Sequence, residues 1–138
     1  MKNLIAELNK IAPSIAIETI WSHDLDADFK DLADCNCGPR KNWRAWQSEV
    51  KATAINGGLL ITGNAYLGGT WERAGKHPSK SNPEISGYLP QMIEEALIML
   101  GSQCRKTDKV LPEIHAAIAA VKAEMKRSYD EQMSKRAA

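Results

Sequence analysis

The chain has 138 residues, 43% of them hydrophobic and 25% charged, which suits one compact domain and excludes the disordered and fibrous classes. Eighteen Lys and Arg against 17 Asp and Glu leave a net charge of +1, so a coat for nucleic acid or anionic lipid is excluded and any charged partner must meet a local patch. No apolar run approaches the roughly 20 residues that cross a bilayer, so no membrane partner is expected.

The first element follows Asn3, a predicted N-cap. Leu4, Ile5, Leu8 and Ile11 recur at helical spacing until Pro13, which predicts a short helix over residues 3–12 with one buried stripe. Ile15, Ile17, Thr19 and Trp21 then alternate with Ala16, Glu18 and Ile20 in a β-branched run, the pattern of a strand with a buried face. Residues 22–45 break all periodicity and are predicted as one long loop, acidic at first (Asp24, Asp26, Asp28, Asp31, Asp34) and basic at its end. Loops of that length inside a compact domain are commonly functional.

A second strand follows, with Trp46, Val50, Ala52 and Ala54 on one face and Gln47, Glu49, Lys51 and Thr53 on the other. Asn56-Gly57-Gly58 supplies the positive φ angles of a tight hairpin turn. In the third strand Leu59, Ile61, Ala65 and Leu67 alternate with Leu60, Thr62, Asn64 and Tyr66, while Gly63 and the alanines at 52, 54 and 65 leave room for a helix to approach closely. Gly68-Gly69 predicts a bulge or bend before Trp71, and a second loop runs from Arg73 to Ile85.

Leu89, Met92, Ile93, Ala96, Leu97 and Leu100 form the apolar stripe of a second helix, with Ser86 as its cap, Pro90 in its first turn and Gly101 as its terminator. Ile98 and Met99 lie off that stripe and call for cover by the next helix. That last helix, capped by Asp108, carries Leu111, Ile114, Ile118, Val121 and Met125 in a heptad seam and runs to about residue 135. Its second half, with Tyr129 and Met133, outruns the core. The fold class predicted is α+β, a three-stranded antiparallel meander with αβββα order over residues 1–105 and a C-terminal helix over 106–138. That helix packs on the domain or on a partner, and a homodimer along Ile114, Ile118, Val121 and Met125 is expected.

Chemistry-bearing residues are sparse. Asp24-x-Asp26-x-Asp28 imitates a calcium loop, but Phe29 stands where the turn glycine belongs and Cys35 where the closing glutamate belongs. Cys35-x-Cys37 is too tightly spaced for a structural zinc knuckle and no second cysteine pair exists. His23, His77 and His115 are scattered and no serine or cysteine sits in an elbow motif. No catalytic residue, metal or cofactor is assigned, although a metal-dependent enzyme built on His23, Asp24, Asp26 and Cys35 stands as a third class. Three cysteines, an odd number, and an opening that goes straight into an amphipathic segment fit a cytoplasmic setting.

The one patch with binding chemistry is Arg40, Lys41, Trp43 and Arg44, joined by Trp71, Arg73 and Lys76 from the far strand and the loop after it. Interleaved cations and indoles suit a single-strand groove that stacks bases while attracting phosphates. Arg and Trp also anchor protein interfaces. The plainer alternative is that Trp43 and Trp46 plug the core edge while the cations snorkel.

The element order, with Val50-Lys51-Ala52-Thr53-Ala54 and Gly63-Asn64-Ala65 ahead of the helical stripe, resembles the αβββα topology of double-stranded RNA-binding domains. The cationic cluster that opens the second helix of that family is here Ser86-Gly87-Tyr88-Leu89-Pro90-Gln91, without a cation. The same order resembles small sandwich domains of phage proteins. Tyr66-Leu67-Gly68-Gly69-Thr70-Trp71-Glu72, followed by Ser81-Asn82 and Gly87-Tyr88, is similar to the Tyr-x-Gly-Gly-x-Trp segment of plasmid antirestriction proteins of the KlcA type. These resemblances imply a mobile-element protein that inhibits a bacterial defence system, anti-CRISPR or antirestriction in kind, by protein–protein contact with a host or defence-complex protein. The alternative class is a single-stranded nucleic-acid-binding protein using the Trp/Arg patch.

Overall fold

A computed structural model describes residues 3–26, 43–72 and 87–137, with residues 23–26, 43–46 and 69–72 described by their backbone. The elements run α1 (Leu4–Ile11), β1 (Ile15–Asp26), β2 (Trp43–Asn56), β3 (Leu59–Glu72), α2 (Leu89–Gly101) and α3 (Leu111–Ala137). The strands form one antiparallel sheet in the order β1-β2-β3, so the α+β class and the αβββα order with an added C-terminal helix are those the sequence predicts.

Strand alternation decides which face is covered. Ile15, Val50, Ala52, Ala54, Gly63 and Ala65 are buried, and Ile17, Ile61 and Leu67 are half-buried on the same face. Leu8 and Ala12 join them from the first helix and its exit, and Met92, Ile93, Ala96, Leu97 and Leu100 from α2. The small residues at 52, 54, 63 and 65 let α2 sit directly on the sheet. A Cβ built on Gly63 would lie 2.6 Å from the Leu100 amide nitrogen and nearer still to the Ala96 carbonyl oxygen. Backbone therefore meets backbone at this position, as the run of small residues predicts.

Asn3 caps α1 as expected, its side chain accepting from the Ala6 N–H at 3.3 Å. Other capping expectations fail. Tyr88, not Ser86, occupies the N-cap position of α2, and it makes no side-chain capping bond. Gly101 is the last helical residue rather than a left-handed terminator: a Cβ there would stand 3.3 Å from Ile114 Cγ2, so its smallness serves the approach of α3. Asp108 turns away from α3, its carboxylate accepting from the Arg105 N–H at 2.6 Å and tying the α2–α3 connection to itself.

The strands outrun their predicted bounds. β1 continues to Asp26 and β2 begins at Trp43, because Ser22 through Asp26 pair with Gln47 through Arg44. The loop predicted over 22–45 shrinks accordingly, and the acidic alternation opens in a strand, with Asp24 and Asp26 in β1. Gly68 and Gly69 pair in regular register with Gln47 and Trp46, so the predicted bulge is absent there. It lies in β1 instead, between Ser22 and Leu25, where three steps on β1 answer two on β2.

The C-terminal helix settles onto its own chain. Ile114 and Val121 are fully buried, and Ile118 and Met125 pack against the same core. The stripe expected to face a second copy is therefore occupied internally, by α2 and α1, because a heptad seam satisfies any apolar groove of the right width. The first half of α3 does not reach Ile98 and Met99, which stay 50% exposed. Beyond Met125 the helix leaves the core; Glu124, Arg127, Glu131 and Lys135 form ion pairs at i,i+3 and i,i+4 along it.

Candidate functional site

The sheet has two unlike ends. At one, Gly57 (φ 58°) and Gly58 (φ 82°) close the β2–β3 hairpin. At the other, Trp43 pairs with Glu72, Arg44 with Trp71, and Asp26 with Arg44. The chain leaves β1, enters β2 and leaves β3 at this second end, so residues 27–42 depart from it and return to it and residue 73 starts from it. The sequence-predicted patch thus has a backbone footing. Trp43, Arg44 and Trp71 are strand residues on two adjacent rungs, not members of loops. Arg40, Lys41, Arg73 and Lys76 lie outside the described residues, as do Cys35, Cys37 and His77.

A hairpin of fourteen paired positions is about 45 Å long at 3.3–3.4 Å per residue, whereas the 13 residues of α2 span about 20 Å. The hairpin is therefore longer than the helix above it can cover. At the turn the consequence is visible: Ile55, Leu59 and Leu60 are 72%, 72% and 69% exposed. Alternation places Leu59 on the inward face, but no described helix covers it. A groove of about 490 Å³ runs beside this tip, walled by Ser14 to Ile17, Thr53 to Ile55 and Leu60. Sequence reasoning missed the tip; the signal available was the pair Leu59-Leu60 directly after the turn, which commits a large apolar residue to each face.

Among the described residues no helix lies on the outer face of the sheet, and the residues of that face are exposed or half-buried. Four rungs cross it: Ala16, Thr53 and Thr62; Glu18, Lys51 and Asn64; Ile20, Glu49 and Tyr66; Ser22, Gln47 and Gly68. Glu49 is the hub. Asn64 Nδ2 donates to its Oε2, and the Tyr66 hydroxyl bonds to the same carboxylate. Partial desolvation, the Glu49 charge and that hydrogen bond together raise the Tyr66 pKa above the ordinary tyrosine value of 10.0. With Glu18 and Glu49 flanking Lys51, these rungs form no cationic track.

Titratable groups elsewhere offer little chemistry. Burial, helped by Asp108, pushes the Cys104 thiol above its usual range, where it is a poor nucleophile. Among the described residues, no three His, Cys, Asp or Glu side chains stand close enough to hold a metal ion, and no helix is long and apolar enough to cross a membrane. The chain matches no family model, and no curated protein or solved structure matches it.

Proposed function

We propose that this chain is a non-catalytic binding protein of a phage or plasmid that inhibits a bacterial defence complex through protein–protein contacts. One observation carries the proposal: residues 27–42 and the chain after Glu72 both spring from the same end of the sheet, at the rungs that pair Trp43 with Glu72 and Arg44 with Trp71. Long segments rooted in a rigid ladder are the usual carriers of recognition, and Trp and Arg are the residues most often found at interface hot spots. The described outer face, with two glutamates around Lys51, favours a protein partner over a nucleic-acid strand.

The test is protection of an invading phage. Cells carrying a defined restriction or CRISPR system and expressing this chain are expected to plaque the targeted phage far more efficiently than cells without it. Alanine at Trp43, Arg44, Trp71 and Arg73 together should abolish the effect while leaving the melting temperature of the purified protein unchanged. Full protection by the quadruple variant refutes the assignment of these anchors, and no protection by the wild-type chain against any such system refutes the function. Because the Arg44–Trp71 pairing also brings a cation-bearing and an indole-bearing residue to one rung, a salt titration of oligonucleotide binding decides the alternative. Strand binding would weaken steeply with salt.

A further inference from the structure

Antiparallel sheets end in edges, and the two edges of this sheet are guarded unequally. β1 has a bulge between Ser22 and Leu25 and an exposed Glu18, both devices that discourage another strand from pairing. β3 has neither. From Leu59 to Trp71 it contains no Lys, Arg, Asp, Glu or Pro, and its ladder to β2 runs without a register shift. Uncharged over thirteen residues, unbulged and, among the described residues, unpaired, it is the kind of edge that natural sheets seldom leave open.

The direction of its unpaired groups follows from the turn. In a two-residue hairpin the closing pair, Asn56 and Leu59, exchanges both hydrogen bonds, and bonded and non-bonded pairs then alternate. Ile61, Gly63 and Ala65 therefore bond inward to β2, while Leu60, Thr62, Asn64, Tyr66 and Gly68 present N–H and C=O outward. One independent contact fixes the phase: the Thr62 carbonyl oxygen accepts from Gln103 Nε2 at 2.5 Å, so it points away from β2. Gln103 thereby closes the edge at Thr62 and leaves the backbone groups of Asn64, Tyr66 and Gly68 beyond it.

We infer that this edge takes a second copy of the same chain, two β3 strands pairing antiparallel about Tyr66 into a six-stranded sheet. Tyr66 then faces its counterpart, and Asn64 faces Gly68 on either side, all as hydrogen-bonded pairs. The stretch beside Gln103 stays outside the pairing. Aromatic residues are favoured cross-strand partners. The uncharged run and a net charge of +1 per chain place no like charges opposite one another. The two-fold axis stands perpendicular to the sheet, so both helical layers lie on one side and the outer faces become continuous.

Sedimentation equilibrium and residue-resolved amide exchange, from dilute to submillimolar protein, test this together. A dimer is expected in which the Asn64, Tyr66 and Gly68 amides exchange more than about tenfold more slowly in the concentrated sample, with Ile61, Gly63 and Ala65 unaffected. Tyr66→Lys keeps the strand backbone but sets two cations opposite each other, and should be monomeric with an unchanged circular dichroism spectrum. Tyr66→Pro removes the outward N–H together with the phenol and its contact with Glu49, and should also be monomeric. A monomer at every concentration overturns the inference, including one whose edge amides are protected only by an added extended peptide. So does a dimer whose Asn64, Tyr66 and Gly68 amides exchange as fast as in the monomer.

Discussion

Replacing Gly63 by alanine adds a single methyl group, yet the packing of α2 on β3 makes it one of the most damaging small changes available in this chain. The new Cβ would lie 2.6 Å from the Leu100 nitrogen, 3.2 Å from the Ala96 carbonyl carbon and closer still to the Ala96 oxygen. All three atoms belong to helix backbone, so no side chain can rotate away, and the helix itself must retreat by about an ångström. Such a gap forfeits a quarter to a half of each dispersion contact it opens, and it opens beneath Met92, Ile93, Ala96, Leu97 and Leu100, all buried. Overpacking of adaptable sites costs about 1–3 kcal/mol; here the upper end applies, reduced by up to about 1 kcal/mol from the smaller entropy of the unfolded alanine chain. A net loss of about 2–3 kcal/mol is expected, read as a lower urea midpoint at unchanged slope and a melting temperature lower by about 10 °C. Gly87→Ala is the control, since a Cβ there meets nothing within 4 Å. A Gly63→Ala variant within about 0.5 kcal/mol of wild type would mean that α2 does not rest on the β3 backbone.

The division of α3 into a packed and an unpacked half predicts that Val121→Ala costs about 2 kcal/mol in chemical denaturation, since Val121 is fully buried. Met133→Ala, 43% exposed in the projecting half, should change stability by less than about 0.5 kcal/mol. The hydroxyl of Tyr66 beside Glu49 predicts a sign in alkali. Because the folded pKa is raised, its contribution is fully present below the ordinary value of 10.0 and is lost as pH rises through the higher folded value. The melting temperature of Tyr66→Phe should therefore fall less than that of wild type above pH 10.0, and parallel curves would refute the Tyr66–Glu49 bond.

Periodicity carried most of the fold. The stripe from Leu89 to Leu100 is a 3.6-residue pattern and returned as α2 with every member buried except the half-buried Leu89, and the glycine and alanines at 52, 54, 63 and 65 revealed where a helix would touch the sheet. What failed were features set by neighbours rather than by local pattern. Gly101 reads as a helix stop until the approach of Ile114 explains it, and Asp108 reads as a cap until its carboxylate is found on the Arg105 amide. The ends of β1 and β2 were hidden because Ser22 to Asp26 and Trp43 to Ala45 are polar, acidic or mixed, and become strand only through pairing with each other. Whether an apolar seam such as Ile114 to Met125 meets its own domain or another copy is equally invisible, since the side chains required are the same.

The placement of the β1 bulge bears on the candidate interface. It falls between Ser22 and Leu25, opposite Gln47 and Ala45, one rung before Arg44. A bulge bends its own strand and increases the local twist, so β1 is turned at the very point where the sheet reaches Trp43 and Arg44. The β2–β3 ladder passes the same level with no register shift, which holds Trp43, Arg44, Trp71 and Glu72 in fixed relation to the core that begins at Ser48 and Val50. Deleting one residue from the bulge would let β1 pair regularly to Asp26 and alter its angle against these rungs while leaving the core face at Ile15 and Ile17 in register. If the rungs act only through β2 and β3, binding survives that deletion; if the end of β1 helps to present residues 27–42, binding falls while stability does not.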